Sequence, residues 1–279
     1  YKIPEKTFEA EMKASHTAIP LVAGSLVRLP LVIYVSLFGL GVIALVFSRI
    51  IASITILLVF LYLSYSYKLK KPSFKSFKSY SSIAFKLVFY TFLTSFSLQL
   101  SRLLVGTNYD SYDLGLYSSA LLIANFLLII PGATKTLLLP MLSNLHSKGK
   151  NESLVEKVHL TEKYILLSLA PVALTLAFYS KNILYILLGD EFVTATISLQ
   201  ILCIWVLVDS TKAPYLIQII GIDRIDVRII IGTIHSFILI ILNILLIPEE
   251  VFGYKVFGLG INGAALALLL AGLVLSILS

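Results

Sequence analysis

The sequence predicts an all-α fold, a polytopic membrane bundle of about eight helices, on three observations: its composition, its continuous apolar runs and the alternation of charge between them. Of 279 residues, 58% are hydrophobic and 13% charged, and the mean hydropathy is +0.95. Ordinary soluble domains are about 45–50% apolar and about 25% charged. A chain this apolar cannot cover its own core with polar surface, so lipid has to serve as its solvent. One cysteine, Cys203, excludes a disulfide framework and a Cys-based zinc site, and the scattered His16, His146, His159 and His235 form no metal cluster. No metal or cofactor is expected.

A helix needs roughly 20 apolar residues to cross about 30 Å of hydrocarbon. The runs that meet this are 17–37, 40–65, 83–105, 114–140, 163–180, 194–219, 229–247 and 258–279. They are continuous and too long for the alternating strands of a membrane barrel. The first carries Pro20, Pro30 and Arg28, and the second carries Arg49. The third shows a polar stripe at helical spacing, Thr91, Ser95, Gln99 and Arg102, which predicts a wet face. Asn125 lies midway along the fourth and is assigned to an interhelical hydrogen bond. Pro171 interrupts the fifth, the weakest of the set.

Between the runs, one set of connections (1–16, 66–82, 141–163, 220–228) holds fourteen Lys and Arg, and the other (38–39, 106–113, 181–193, 248–257) holds two. Basic residues stay on the cytoplasmic side, which puts both ends of the chain there. The net charge of +7 therefore reads as topology, not as affinity for nucleic acid. The stretch 67–82, with Lys68, Lys70, Lys71, Lys75 and Lys78, reads as a basic linker, either lying on anionic headgroups or solvated.

Phe38-Gly39-Leu40-Gly41-Val42 opens the second run and Phe257-Gly258-Leu259-Gly260-Ile261 opens the eighth. Equivalent positions imply a repeating unit of six helices, runs three to eight, preceded by the last two helices of another unit. Parallel repeats of this kind are a known transporter plan. The expected division is 1–66, two helices of an N-terminal lobe; 67–82, linker; and 83–279, a six-helix C-terminal lobe. Four helices are expected ahead of Tyr1. Gly258-Leu-Gly260-Ile-Asn-Gly263 fits G-x-G-x-x-G, but it opens a membrane helix and lacks the βαβ setting a dinucleotide site needs.

Asp113-Leu-Gly115-Leu-Tyr117-Ser-Ser-Ala120, Ile130-Pro131-Gly-Ala133, Leu139-Pro140-Met-Leu142-Ser143 and Leu188-Gly189-Asp190-Glu191-Phe192 resemble the C-terminal lobe of polysaccharide flippases. These belong to the multidrug/oligosaccharidyl-lipid/polysaccharide exporter superfamily. The resemblance covers nearly the whole chain, as helices five to twelve of a larger transporter. It implies two lobes around a cavity that opens alternately to each side of a plasma membrane. It also implies an anionic lipid-linked oligosaccharide as cargo, contact with membrane lipids and glycan-assembly enzymes as partners. Where members often carry an aspartate before a basic residue, this sequence has Ser101-Arg102, so an ion-coupling role at that position is in doubt.

Inside the runs lie six basic residues, Arg28, Arg49, Lys86, Arg102, Lys135 and Lys212, against one acid, Asp209. A charge at the bilayer centre costs roughly 2.5–3.5 kcal/mol and so faces protein or water. An anionic cargo would balance the excess of cations. Arg28, Arg49 and Arg102 are the expected substrate-binding cations, because guanidinium can donate two parallel bonds to a phosphate. Asp209, Lys212 and Lys135 are candidates for coupling or gating. The bland alternatives are snorkelling to headgroups for Lys86, Lys135 and Lys212, and a structural ion pair for Asp209 and Lys212, which share a helix face. No nucleophile–base pair, metal triad or phosphate-binding loop is present. The expectation is a transporter, not an enzyme. The competing readings are a drug or cation antiporter of the same superfamily, which would favour buried carboxylates, and a membrane-embedded glycan polymerase or glycosyltransferase.

Overall fold

The computed structural model describes residues 14–64, 74–251 and 253–278. The chain divides into two compact units, Tyr1–Phe77 and Lys78–Ser279. The first unit is a helical hairpin of α1 (Ala14–Leu37) and α2 (Gly41–Ser64). Pro20 and Pro30 both lie inside α1 without ending it. The seam is tight: a side chain on Gly24 would overlap Ile56 and meet the Ala52 carbonyl.

The second unit holds α3, which begins at the boundary (Phe74–Asn108), α4 (Ser111–Phe126), α5 (Ile129–Ser147), α6 (Asn151–Phe178), the short α7 (Ser180–Leu188), a 3-10 turn (Asp190–Ala195), α8 (Thr196–Gly221), α9 (Ile225–Leu246) and α10 (Gly260–Leu278). A two-stranded ribbon separates the last two helices, with Glu250 opposite Lys255 and Val251 opposite Tyr254. Helix α8 is central, packing on α4, α5, α6, α9 and α10. Its Leu199, Leu202 and Val206 join Tyr117, Leu169 and Ala264 in one core. Among the described residues seven helices are long and apolar enough to cross a membrane, and α4 with α5, bent by 46°, makes an eighth if the pair is one span.

Several expected boundaries are corrected. The fourth run is a bent pair, not one helix over 114–140. Pro131 has no N–H to offer the Leu127 carbonyl, and its ring crowds that turn. The break sits there, with Ile130 N donating weakly to Leu127 O at 3.4 Å. Pro171, expected to interrupt the fifth run, lies inside a continuous helix of 28 residues. The expected connection 141–163 is mostly helical: α5 continues to Ser147 and α6 restarts at Asn151. Gly149 (φ 68°) closes α5, with Lys150 N donating to Leu145 O at 3.0 Å and Gly149 N to His146 O at 2.9 Å, the pairing of a left-handed helix stop. Likewise 181–193 contains α7 and the 3-10 turn. Of the expected linker 67–82, residues 67–73 lie outside the described residues and 74–82 belong to α3.

The two Phe-Gly-Leu-Gly motifs share a backbone signature. Gly39 and Gly41 (φ 59° and 77°) precede and open α2, and Gly258 and Gly260 (φ 60° and 54°) do the same for α10. All four lie in the left-handed region that residues with a Cβ avoid, so the sequence match is also a match of conformation.

Helices α3 and α9 run parallel and meet through polar side chains along their length. Lys86 Nζ pairs with Asp226 Oδ1 at 3.0 Å, Tyr90 fills the space left by Gly232, and Thr94 Oγ1 lies 3.2 Å from Ser236 Oγ. Deeper in, Ser101 Oγ donates to Asn243 Oδ1 at 3.0 Å, and Asn243 Nδ2 donates to Ser97 O at 3.3 Å. Just beyond the end of α3, the Tyr109 hydroxyl donates to Ile247 O at 2.9 Å. Burial, then the nearby Glu249, raises its pKa above that of an ordinary phenol.

A candidate functional site

Within the second unit α3, α4, α8, α9 and α10 wall a cavity of about 450 Å³, inside the range of small-molecule sites, about 300–1,000 Å³. Its polar lining is Tyr90, Thr94, Gln99 and Arg102 from α3, Tyr117 and Asn125 from α4, Asp209 and Lys212 from α8, and Arg228 and His235 from α9. Leu121, Trp205, Leu268 and Leu275 supply apolar wall. Three cations thus face one carboxylate, an excess of two positive charges with His235 counted neutral.

The cations are held differently. Arg102 donates from Nη1 to Gln99 Oε1 at 3.0 Å, one turn back on its own helix, while its buried Nε has no acceptor among the described residues. Arg228 sits at the start of α9 with Cζ 5.6 Å from the centroid of the Tyr90 ring, a cation over a π face. Lys212 is the most deeply buried: its side chain is 2% exposed and its Nζ lies 2.9 Å from Asp209 Oδ1, while the Asp209 side chain is 36% exposed. The angles at that contact are those of an ion pair without a directed hydrogen bond, and no other acceptor reaches the ammonium among the described residues. Donors left open in low dielectric cost free energy unless a ligand completes them.

Of the six residues singled out from sequence, the cavity collects Arg102, Asp209 and Lys212. Lys135 does not join them; it is exposed on α5. Arg28 and Arg49 belong to the first unit, exposed on α1 and α2, Arg49 beside a shallow groove lined by Val46, Ile50 and Ile54. Neither has an ion-pair partner among the described residues. The expected wet stripe of α3 shifts round the helix: Gln99 and Arg102 line the cavity with Tyr90 and Thr94, whereas Thr91 and Ser95 do not. Asn125 faces the cavity in place of the expected interhelical bond. Ser101 is fully buried and turned toward Asn243. Lys86, expected to reach headgroups, pairs with Asp226.

Sequence reasoning missed Arg228 and His235. Arg228 fell into a connection's basic count, and it reaches the cavity because α9 begins at Ile225. His235 carried no signal beyond a polar residue in an apolar run. A second polar cluster lies where α6 meets α8: the Tyr215 hydroxyl donates to Glu162 Oε2 at 2.5 Å and lies 3.1 Å from His159 Nδ1. Glu162, Thr211 and Tyr215 share with Lys212 a small pocket of about 210 Å³.

Comparison with known proteins adds three findings. A family profile described as "Polysaccharide biosynthesis protein" matches residues 1–197. No curated protein matches the chain. Among solved structures, a MATE in the straight conformation superposes with a TM-score of 0.74 at 14% identity, over 99% of this chain and 63% of that one. An outward-facing multidrug resistance MATE family transporter of the MOP superfamily gives 0.73 at 13% identity, with the same coverages. A MATE in the bent conformation gives 0.67 at 12% identity, over 95% of this chain and 60% of that one. The fold is that of these transporters, and the chain spans about three-fifths of their length.

Proposed function

Because this chain belongs to the polysaccharide biosynthesis protein family, we propose that it moves a lipid-linked anionic oligosaccharide, a polyprenyl-pyrophosphate glycan, from the cytoplasmic to the outer leaflet by alternating access. The observation that carries this reading is the cation excess: Arg102, Lys212 and Arg228 face a cavity whose lining includes a single carboxylate, Asp209. A cavity so charged attracts a phosphoryl group and repels a cationic drug. In this reading 1–66 contributes to one lobe, 67–82 links, and 83–279 forms the other lobe. Both ends of the chain face the cytoplasm, and the membrane is the plasma membrane. Arg28 and Arg49 supply further positive charge to the path. The pyrophosphate is neutralised by protein cations while the polyprenyl tail stays in lipid, so the protein lowers the barrier of carrying charge across hydrocarbon and makes no covalent bond.

The test is translocation of a labelled pyrophosphate-linked glycolipid by the full-length protein in proteoliposomes. Protein-dependent movement is expected, slowed at least about tenfold by Arg102→Gln or Arg228→Gln, since a lost hydrogen bond to a charged group costs about 1.5–3 kcal/mol. Export of a cationic dye with no movement of the glycolipid would replace this reading with the antiporter. Chemical change in the glycan without movement would replace it with an enzyme.

A further inference from the structure

Lys212 lies nine residues before Gly221, the last residue of α8, which places its Cα about 13 Å along the helix from that end. An ammonium at this depth, 2% exposed along its side chain, needs a counter-charge in the empty cavity. Asp209, three residues earlier on the same face, supplies one at 2.9 Å, yet makes no directed hydrogen bond to it. The carboxylate is the exposed partner and looks into the cavity, while the ammonium is fixed beneath it.

Among the described residues, no carboxylate besides Asp209 pairs with Lys212. From α3 and α9 come Arg102, Arg228 and His235. On α10 stands Gly272, where an added Cβ would lie 3.6 Å from Nζ. Glu162, across the small neighbouring pocket, already accepts the Tyr215 hydroxyl.

We propose that Asp209 is a tethered stand-in for a phosphoryl anion: it holds Lys212 while the cavity is empty, and an arriving phosphate or pyrophosphate takes Lys212 from it. This rests on the reading of an anionic cargo and extends it to the exchange that lets the cargo leave. A phosphoryl oxygen entering between Arg102 and Arg228 meets three ammonium protons with no directed acceptor, and a carboxylate that repels it. Binding needs Asp209 to yield, and release is driven by its return. Asp209 therefore weakens binding and speeds departure. A carboxylate that held a coupling cation would act with the opposite sign.

The experiment measures calorimetric binding of inorganic pyrophosphate to the full-length protein in detergent, for wild type, Asp209→Asn, Lys212→Gln and the double variant. The expected result is binding about tenfold tighter in Asp209→Asn, the gain from removing a like charge beside the ligand. Lys212→Gln should bind at least about tenfold more weakly, and in its background the Asp209→Asn change should gain less than in the wild type, because part of that gain runs through Lys212. In glycolipid translocation, Asp209→Asn should lower the half-saturating concentration and the maximal rate together, a split that general loss of packing does not give. Asp209→Ala repeats the measurement should the Asn variant fail to fold. Pyrophosphate binding that is weakened or unchanged in both Asp209 variants overturns the proposal.

Competition by inorganic pyrophosphate against polyprenyl-pyrophosphate glycan in vesicles identifies the source of the anion. Inhibition makes it the cargo's headgroup. Binding without inhibition, still tightened by Asp209→Asn, makes it the free ion and leaves the exchange standing. Tighter pyrophosphate binding with no glycolipid movement sinks the flippase reading alone, whereas movement without tightening sinks the exchange alone.

Discussion

Single atoms decide much of how α9 and α10 fit together. A Cβ on Gly263 would run into the backbone carbonyl of Leu246, which cannot swing away as a side-chain tip can. Gly263→Ala should therefore cost about 1–3 kcal/mol, the usual penalty of overpacking, and show as a lower melting temperature in detergent; an unchanged melt would mean that the helices separate freely here. Asn243 is fully buried, and its amide is used by both Ser97 and Ser101. Such interhelical bonds average about 0.6 kcal/mol in membranes. Their role is register more than strength: they fix how far α3 slides along α9, and with it the height of Arg102 in the cavity wall. Arg102, Asp209 and Lys212 were legible in the sequence because a charge inside an apolar run has few cheap explanations. Arg228 was not, since one residue at a helix end reads as topology until the helix start is known.

At the scale of the element, prolines show why apolar runs reveal spans but not their shape. Pro20, Pro30, Pro140, Pro171 and Pro214 all lie inside continuous helices, yet Pro131 sits beside a 46° bend. The residue type is the same in each, so the presence of a proline does not by itself encode a bend. Pro131→Ala restores a donor for Leu127 O and should straighten the pair. Spin labels at the far ends of α4 and α5 should then move apart by about 4 Å, given arms rising 1.5 Å per residue. A distance unchanged by the substitution would assign the bend to tertiary packing. The eight spans themselves were plain, because a run of twenty apolar residues admits little else. The helical stretches hidden in polar connections were not, because 151–163 is amphipathic and polar enough to read as loop.

For the whole molecule, the buried Cys203 is the sequence's single cysteine, so topology can be tested with little background. A membrane-impermeant maleimide applied to intact cells should spare Lys150→Cys and label Tyr254→Cys, positions at opposite ends of the spans. The reverse pattern would invert the orientation read from the basic residues. The parallel course of α3 and α9 has a consequence for biogenesis. Parallel neighbours in this bundle are separated by the intervening spans, so the cavity's two walls are synthesised far apart in time. At about 5–20 residues per second, Arg102 emerges from the ribosome roughly 6–25 s before Arg228. Asn125 follows Arg102 by only 23 residues, but the α8 carboxylate of Asp209 follows by 107, so for most of that interval the guanidinium has polar neighbours and no anion to shelter beside. The nascent α3 has to wait at the insertion machinery, or shift its depth in the bilayer, until the later helices arrive to enclose its charge.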